Sequence, residues 1–149
     1  MRHGEAVAGS DTDPNRPLTQ FGCEALSRLG EDLLTALAEV KEVWSSPWLR
    51  TQQTAAMLEP HTGAVGVRAV DELLPCAEPA ALLQQLEFSS ADTLLLVGHQ
   101  PLVGRTAAYL CEGPLAHPWA FAPADLAVID LDWPAAGLGS LRRWHHFPG

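Results

Sequence analysis

Lysine is nearly absent from this sequence. Lys41 stands alone, and the formal net charge is -9. A chain with so few basic residues cannot build the patches that nucleic acid or an anionic membrane requires, so both are excluded as partners. A small phosphate group is not excluded, because a few arginines suffice for a local positive well. Long apolar runs are missing as well. None reaches the roughly 18 residues of a membrane helix, and no basic n-region with an apolar h-region or lipidation signal opens the chain. The expectation is a soluble, cytoplasmic protein. Cysteine is scarce. Cys23, Cys76 and Cys111 are odd in number and lack metal-ligand spacing, which predicts free thiols in a reducing compartment. There is no internal repeat, low-complexity tract or linker. A hydrophobic content of 47% over 149 residues therefore predicts one domain spanning 1–149.

What is present is a regular alternation of helix and strand signals. Gly9 to Pro17 is polar and turn-rich, a loop. Thr19 can N-cap a helix from near Gln20, with Leu26, Leu29, Leu33, Leu37 and Val40 on one face; one helix to about Val40 is expected. Glu42 to Ser45 reads as a strand stopped by Ser46-Pro47, and Leu49 to Leu58 as a helix ended by Pro60 and Gly63. Ala64 to Val70 suits an edge strand, and Asp71 to Glu78 a loop. Pro79 opens a helix to about Leu86. Thr93 to Val97 is a continuous apolar run, as in a strand buried on both faces. Gly98-His99-Gln100 is a turn, and Pro101 starts a helix to about Leu110. Leu126 to Leu131 and Leu141 to His145 form an antiparallel pair across a turn at 134–139. This order implies an α/β fold: a three-layer α/β/α sandwich with a mostly parallel central sheet and an antiparallel strand pair at the C-terminal end. Arg2-His3 should follow a buried first strand, yet only Met1 precedes it. The strand is expected to be truncated, by loss of upstream residues or as a stub.

Loops at the carboxyl ends of parallel strands converge on one edge of a sheet. His3, Arg50 and His99 should therefore meet despite their separation. A neutral imidazole is a competent nucleophile near pH 7 once its other nitrogen is held, and Gly4 lets the backbone approach the ring. Arg2 and Arg50 offer planar paired donors for phosphate oxygens, and His99 a further one. Such fixed donors suit phosphoryl transfer, where charge spreads over three equatorial oxygens. A zinc site on His3 and His99 lacks a third ligand at useful spacing. His61 and His117 are lone loop histidines, expected to be solvated. His145 and His146, adjacent on a strand, point to opposite faces.

The stretches Met1-Arg2-His3-Gly4-Glu5, Arg16-Pro17-Leu18-Thr19-x-x-Gly22, Ser46-Pro47-x-x-Arg50-x-x-Gln53-Thr54 and Gly98-His99-x-Pro101-Leu102-Val103-Gly104 resemble the histidine phosphatase (phosphoglycerate mutase-like) superfamily, and within it the SixA-type phosphohistidine phosphatases. The resemblance spans nearly the whole chain. It implies that His3 is the phosphorylated nucleophile and that Arg2, Arg50 and His99 form the phosphate pocket. Arg16 either joins substrate binding or is a surface arginine. Glu72 stands where relatives place a general-acid carboxylate, or is an ordinary loop residue. No metal or cofactor is implied. The implied partner is a histidine-phosphorylated protein, a phosphocarrier or phosphorelay domain. No stretch is long enough for a substrate-covering lid, so hydrolysis is favoured over mutase transfer. A phosphatase for small phosphomonoesters and a catalytically inactive phosphate-binding module are the alternatives.

Overall fold

The computed structural model describes residues 1–147. Its core is a parallel sheet of three strands, β1 (Glu42–Ser45), β2 (Val67–Ala69) and β3 (Leu94–Val97), in the order β2-β1-β3. The helices are α1 (Gln20–Ser27), α2 (Glu31–Ala38), α3 (Leu49–Leu58), α4 (Pro79–Leu86) and α5 (Leu102–Glu112). A separate antiparallel hairpin, β4 (Leu126–Asp130) and β5 (Ser140–His145), closes the chain. Among the described residues no helix is long and apolar enough to cross a membrane.

The layers follow from the two-residue period of the strands. On one face Val43, Leu95 and Val97 join Leu26, Leu33, Leu37 and Leu58, which come from α1, α2 and α3. On the other, Trp44, Leu94 and Leu96 join Val70, Leu73, Leu82 and Leu86, so α4 covers that side. Burying side chains of this size contributes about 1.5–3 kcal/mol each. α5 packs on the hairpin through Val103, Ala107, Ile129 and Trp144. Against the segment before the hairpin, the approach is backbone to backbone. Trp119 N–H donates to the Gly104 carbonyl at 3.1 Å, and a Cβ on Gly104 would lie 2.0 Å from the Trp119 oxygen.

Most boundaries lie within a residue or two of expectation, with three differences. The single helix expected to Val40 is two. Arg28 leaves helical geometry (φ -94°, ψ 62°) and Gly30 takes an extended N-cap conformation, so the apolar stripe continues across a break. Periodicity cannot report this, because Leu26 and Leu33 share one core on either side of it. The loop expected at 71–78 opens with a 3₁₀ turn, Asp71–Leu73, whose Leu73 is fully buried. β2 is shorter than expected, with Val65 exposed ahead of it.

The expected first strand is present as one parallel bridge, Arg2 to Gly98. Gly98 N–H donates to Met1 O at 3.0 Å and His3 N–H to Gly98 O at 3.1 Å. On its other side Arg2 N–H donates to Asp125 O at 3.0 Å, and Ala124 N–H to His3 O at 2.9 Å. The segment thus runs between the end of β3 and the segment leading into β4. Ala124 reaches His3 with a left-handed φ of +67°, rare for a residue with a Cβ. Such strain persists only where surrounding contacts hold it, and Ala124 is 2% exposed.

Candidate active site

Three strand ends deliver the motif residues to one place. His3 follows the bridge, Ser46 and Arg50 follow β1, and His99 follows β3. The His3 and His99 rings meet edge to face with centroids 5.2 Å apart. Arg50 Nε donates to His3 Nε2 at 3.2 Å. All three side chains are buried, with exposures of 8% (His3), 3% (Arg50) and 2% (His99).

The backbone holds the His3 ring. Its Nδ1 stands 2.7 Å from the Gly4 carbonyl. A carbonyl only accepts, so Nδ1 carries the proton and Nε2 the lone pair. Gly4 is held in turn: its N–H donates to Thr54 Oγ1 at 3.0 Å, and that hydroxyl donates to Arg50 O, one helical turn back, at 2.8 Å.

Arg50 is fixed on every side. Nη1 donates to Asp13 O at 3.0 Å, Nη2 to Asp11 O at 3.3 Å, and the guanidinium lies 4.6 Å over the Trp48 ring. The loop that supplies these carbonyls is tied by Arg16, whose Nε donates to Val7 O (2.8 Å) and Nη1 to Ser10 O (3.0 Å) and Asp11 Oδ1 (2.9 Å). Leu18 N–H, donating to Gln53 Oε1 at 2.8 Å, anchors the far end of the loop to α3. Arg2 Nη1 donates to Phe121 O at 2.7 Å, while Arg2 Nε is buried with no hydrogen-bond partner.

His99 Nε2 lies 2.9 Å from Ser46 Oγ, and Trp48 packs edge-on against the ring at 4.9 Å. His99 Nδ1, like Arg2 Nε, is buried without a partner. An unpaired buried donor ordinarily costs about 1–3 kcal/mol.

Burial and cations act together on the imidazoles. Desolvation, then Arg50, Arg2 and Arg16, push His3 down to about 4 against the pull of the Gly4 carbonyl. Desolvation, His3, Arg50 and Arg2 push His99 down to about 3. Both rings are neutral at pH 7. The two arginines are lowered by burial but stay cationic, since guanidinium does not deprotonate in proteins. The result is a positive well that holds two neutral rings and two buried nitrogens without a protein partner, an environment for a tetrahedral oxyanion.

Arg2, His3, Arg50 and His99 are therefore brought together, with Arg16 in the adjoining loop close enough to act on His3. Glu72 stands apart in its interactions. It accepts from Gln85 Nε2 at 3.1 Å, and among the described residues it makes no hydrogen bond or ion pair with those four. Its turn still backs onto the site, since Leu73 O would lie 3.4 Å from a Cβ on Gly98. His61 and His117 are exposed, and His146 pairs with Asp125 at 2.9 Å. Sequence reasoning quoted Thr54 only within a motif and gave it, Trp48 and the 121–125 segment no role. The i, i+4 spacing of Arg50 and Thr54 was a usable signal for the first. Nothing local marks the last, whose contacts with Arg2 and His3 span about 120 residues.

Comparison with known proteins shows the family and the fold. The model of the histidine phosphatase superfamily (branch 1) matches residues 1–74. The chain is 33% identical over 139 residues to phosphohistidine phosphatase SixA of Escherichia coli (strain K12), covering 89% of this chain and 83% of that protein. The structure of the protein histidine phosphatase SixA complexed with tungstate superposes with a TM-score of 0.80 at 31% identity, covering 97% of this chain and 92% of that one. A SixA-like structure from Nakamurella multipartitia gives 0.77 at 28% identity, covering 100% and 94%.

Proposed function

Because the chain belongs to the histidine phosphatase superfamily, we propose that its single domain hydrolyses phosphohistidine on a protein, through a covalent phosphohistidine on His3. The observation that carries this reading is the state of His3. It is neutral, its proton is committed to Gly4 O, and its Nε2 lone pair sits among Arg2, Arg50 and His99.

The phosphoryl group takes over the Arg50 Nε hydrogen bond that Nε2 accepts in this structure. Arg2 Nε and His99 Nδ1 supply the further donors it needs. In the first step the Nε2–P bond forms and the P–N bond to the substrate ring breaks. That ring, protonated on its other nitrogen, leaves as neutral imidazole, so no acid is required. In the second step water attacks phosphorus, the Nε2–P bond breaks, and dihydrogen phosphate carries away both water protons. The proton on His3 Nδ1 stays against Gly4 O throughout. Fixed cations around the equatorial oxygens provide the stabilisation. Glu72 is the group an ester substrate would call on for a proton. Arg16 acts by charge and by tying the loop that holds Arg50. The substrate is a cytoplasmic phosphocarrier or phosphorelay domain.

The test compares a histidine-phosphorylated carrier protein with an aryl phosphate, using wild type and His3→Ala. Fast release from the protein, abolished in the variant, is expected. Preference for the aryl ester would replace this reading with a small-molecule phosphatase. An absence of turnover on both would replace it with a binding module.

A further inference from the structure

We propose that Ser46 is a positioning residue that holds His99 in one tautomer, with the proton on Nδ1, and so makes Nδ1–H a donor to the bound phosphoryl group. This rests on the preceding reading that His99 faces the phosphate. It adds which nitrogen serves and what selects it.

The derivation counts protons. Ser46 is fully buried at the end of β1, where parallel pairing of Ser45 with Val97 sets it beside the turn that carries His99. Its backbone is pinned by Ser46 N–H donating to Val97 O at 3.0 Å. Its hydroxyl oxygen already accepts the Trp48 N–H at 3.3 Å. Among the described residues the only acceptor its proton meets is His99 Nε2, at 2.9 Å. With the ring proton on Nε2, both the Ser46 hydroxyl proton and the buried Nδ1 lone pair would go unpaired; with it on Nδ1, only Nδ1–H does, and a bound anion can pair that donor. Nε2 therefore carries a lone pair. The ring is neutral, and its one proton lies on Nδ1, the buried atom without a partner.

The two imidazoles are thus set in complementary ways by different neighbours. The Gly4 carbonyl accepts from His3 Nδ1–H, which keeps the proton there and frees Nε2 as nucleophile. The Ser46 hydroxyl donates to His99 Nε2 and so leaves the ring proton on Nδ1, the nitrogen that lacks a protein partner. With the opposite tautomer, His99 would present a lone pair at Nδ1, and that lone pair would repel a phosphate oxygen.

The test is two-bond ¹H–¹⁵N correlation spectroscopy of ¹⁵N-histidine-labelled protein at neutral pH, with and without inorganic phosphate. The expected wild-type result is a pyrrole-type Nδ1 and a pyridine-type Nε2 on His99, with the Nδ1 signal moving when phosphate is added. Ser46→Ala should populate the other tautomer and weaken phosphate binding about tenfold, the loss of one charge-assisted hydrogen bond. A wild-type His99 protonated on Nε2, or a Ser46→Ala protein with unchanged tautomer and phosphate affinity, overturns the proposal. So does the predicted tautomer with a Nδ1 signal that ignores phosphate. If Ser46→Ala does not fold, the wild-type spectra decide alone. Failure to turn over phosphohistidine would instead remove the functional reading while leaving the tautomer measurement intact.

Discussion

Replacing Thr54 by valine isolates one hydrogen bond beneath His3, the proposed nucleophile. Thr54 is fully buried, and its Oγ1 is the only acceptor for the Gly4 N–H among the described residues. Valine keeps the volume, so the packing around α3 is retained. The Gly4 N–H is left unsatisfied, at a cost of about 1–3 kcal/mol. The Arg50 carbonyl, which also loses the Thr54 hydroxyl, keeps its place in the α3 backbone ladder. Gly4 further supplies the carbonyl that orients His3 Nδ1, so a loosened Gly4 peptide lets the imidazole wander. Misplacing a reacting group by about 1 Å can cost about 100-fold in rate. The expected result is a urea midpoint lowered by the equivalent of about 1–3 kcal/mol at unchanged m-value, with kcat reduced about 10–100-fold. Thr54→Ser is the counter-experiment. It removes a buried methyl, worth about 1 kcal/mol, and retains the hydroxyl, so it should lose stability and keep kcat. If valine leaves kcat at the wild-type level, or if serine lowers it as much as valine does, the chain from Thr54 through Gly4 to His3 is wrong.

Three further outcomes are expected. Because burial and the arginines hold His3 near 4, the acid limb of kcat/KM should fall near pH 4 rather than near the ordinary histidine value of about 6.5; a limb at 6.5 would show the ring to be solvated. Stability has the matching sign. Between about 6.5 and 4 the unfolded chain binds protons at His3 and His99 that the folded chain refuses, so stability drops as pH falls through that window, by up to about 1.4 kcal/mol per pH unit for each ring, and the contribution levels off below the folded values. Denaturant titration across that range reads the slope, and a flat profile contradicts it. Gly104→Ala should destabilise by about 1–3 kcal/mol or more, since its Cβ would lie 2.0 Å from a main-chain oxygen. Because Phe121 in the same segment holds Arg2, phosphate inhibition should weaken too, and unchanged melting would refute the close approach.

Two kinds of information separate in this protein. The local pattern alone determined most elements. β3 and α4 lie where strand and helix signals put them, because a four-residue apolar run and an N-terminal proline are interactions of near neighbours. Strand-end placement also brought His3, Arg50 and His99 to one edge, since parallel order constrains where loops emerge. The break at Gly30 escaped because a stripe continues across it when both halves pack on one core. The protonation and orientation of the site were decided elsewhere. Which nitrogen of His3 is free depends on Gly4 O, the Gly4 peptide depends on Thr54, and Arg50 depends on carbonyls of a loop some 37–39 residues away. Arg2 and His3 lean on a strained backbone at 121–125. Main-chain carbonyls are the same at every position of a sequence. Only folding selects which of them meets a given side chain, so the residues proposed to carry the chemistry are legible in the chain while their charge state and aim belong to the tertiary structure.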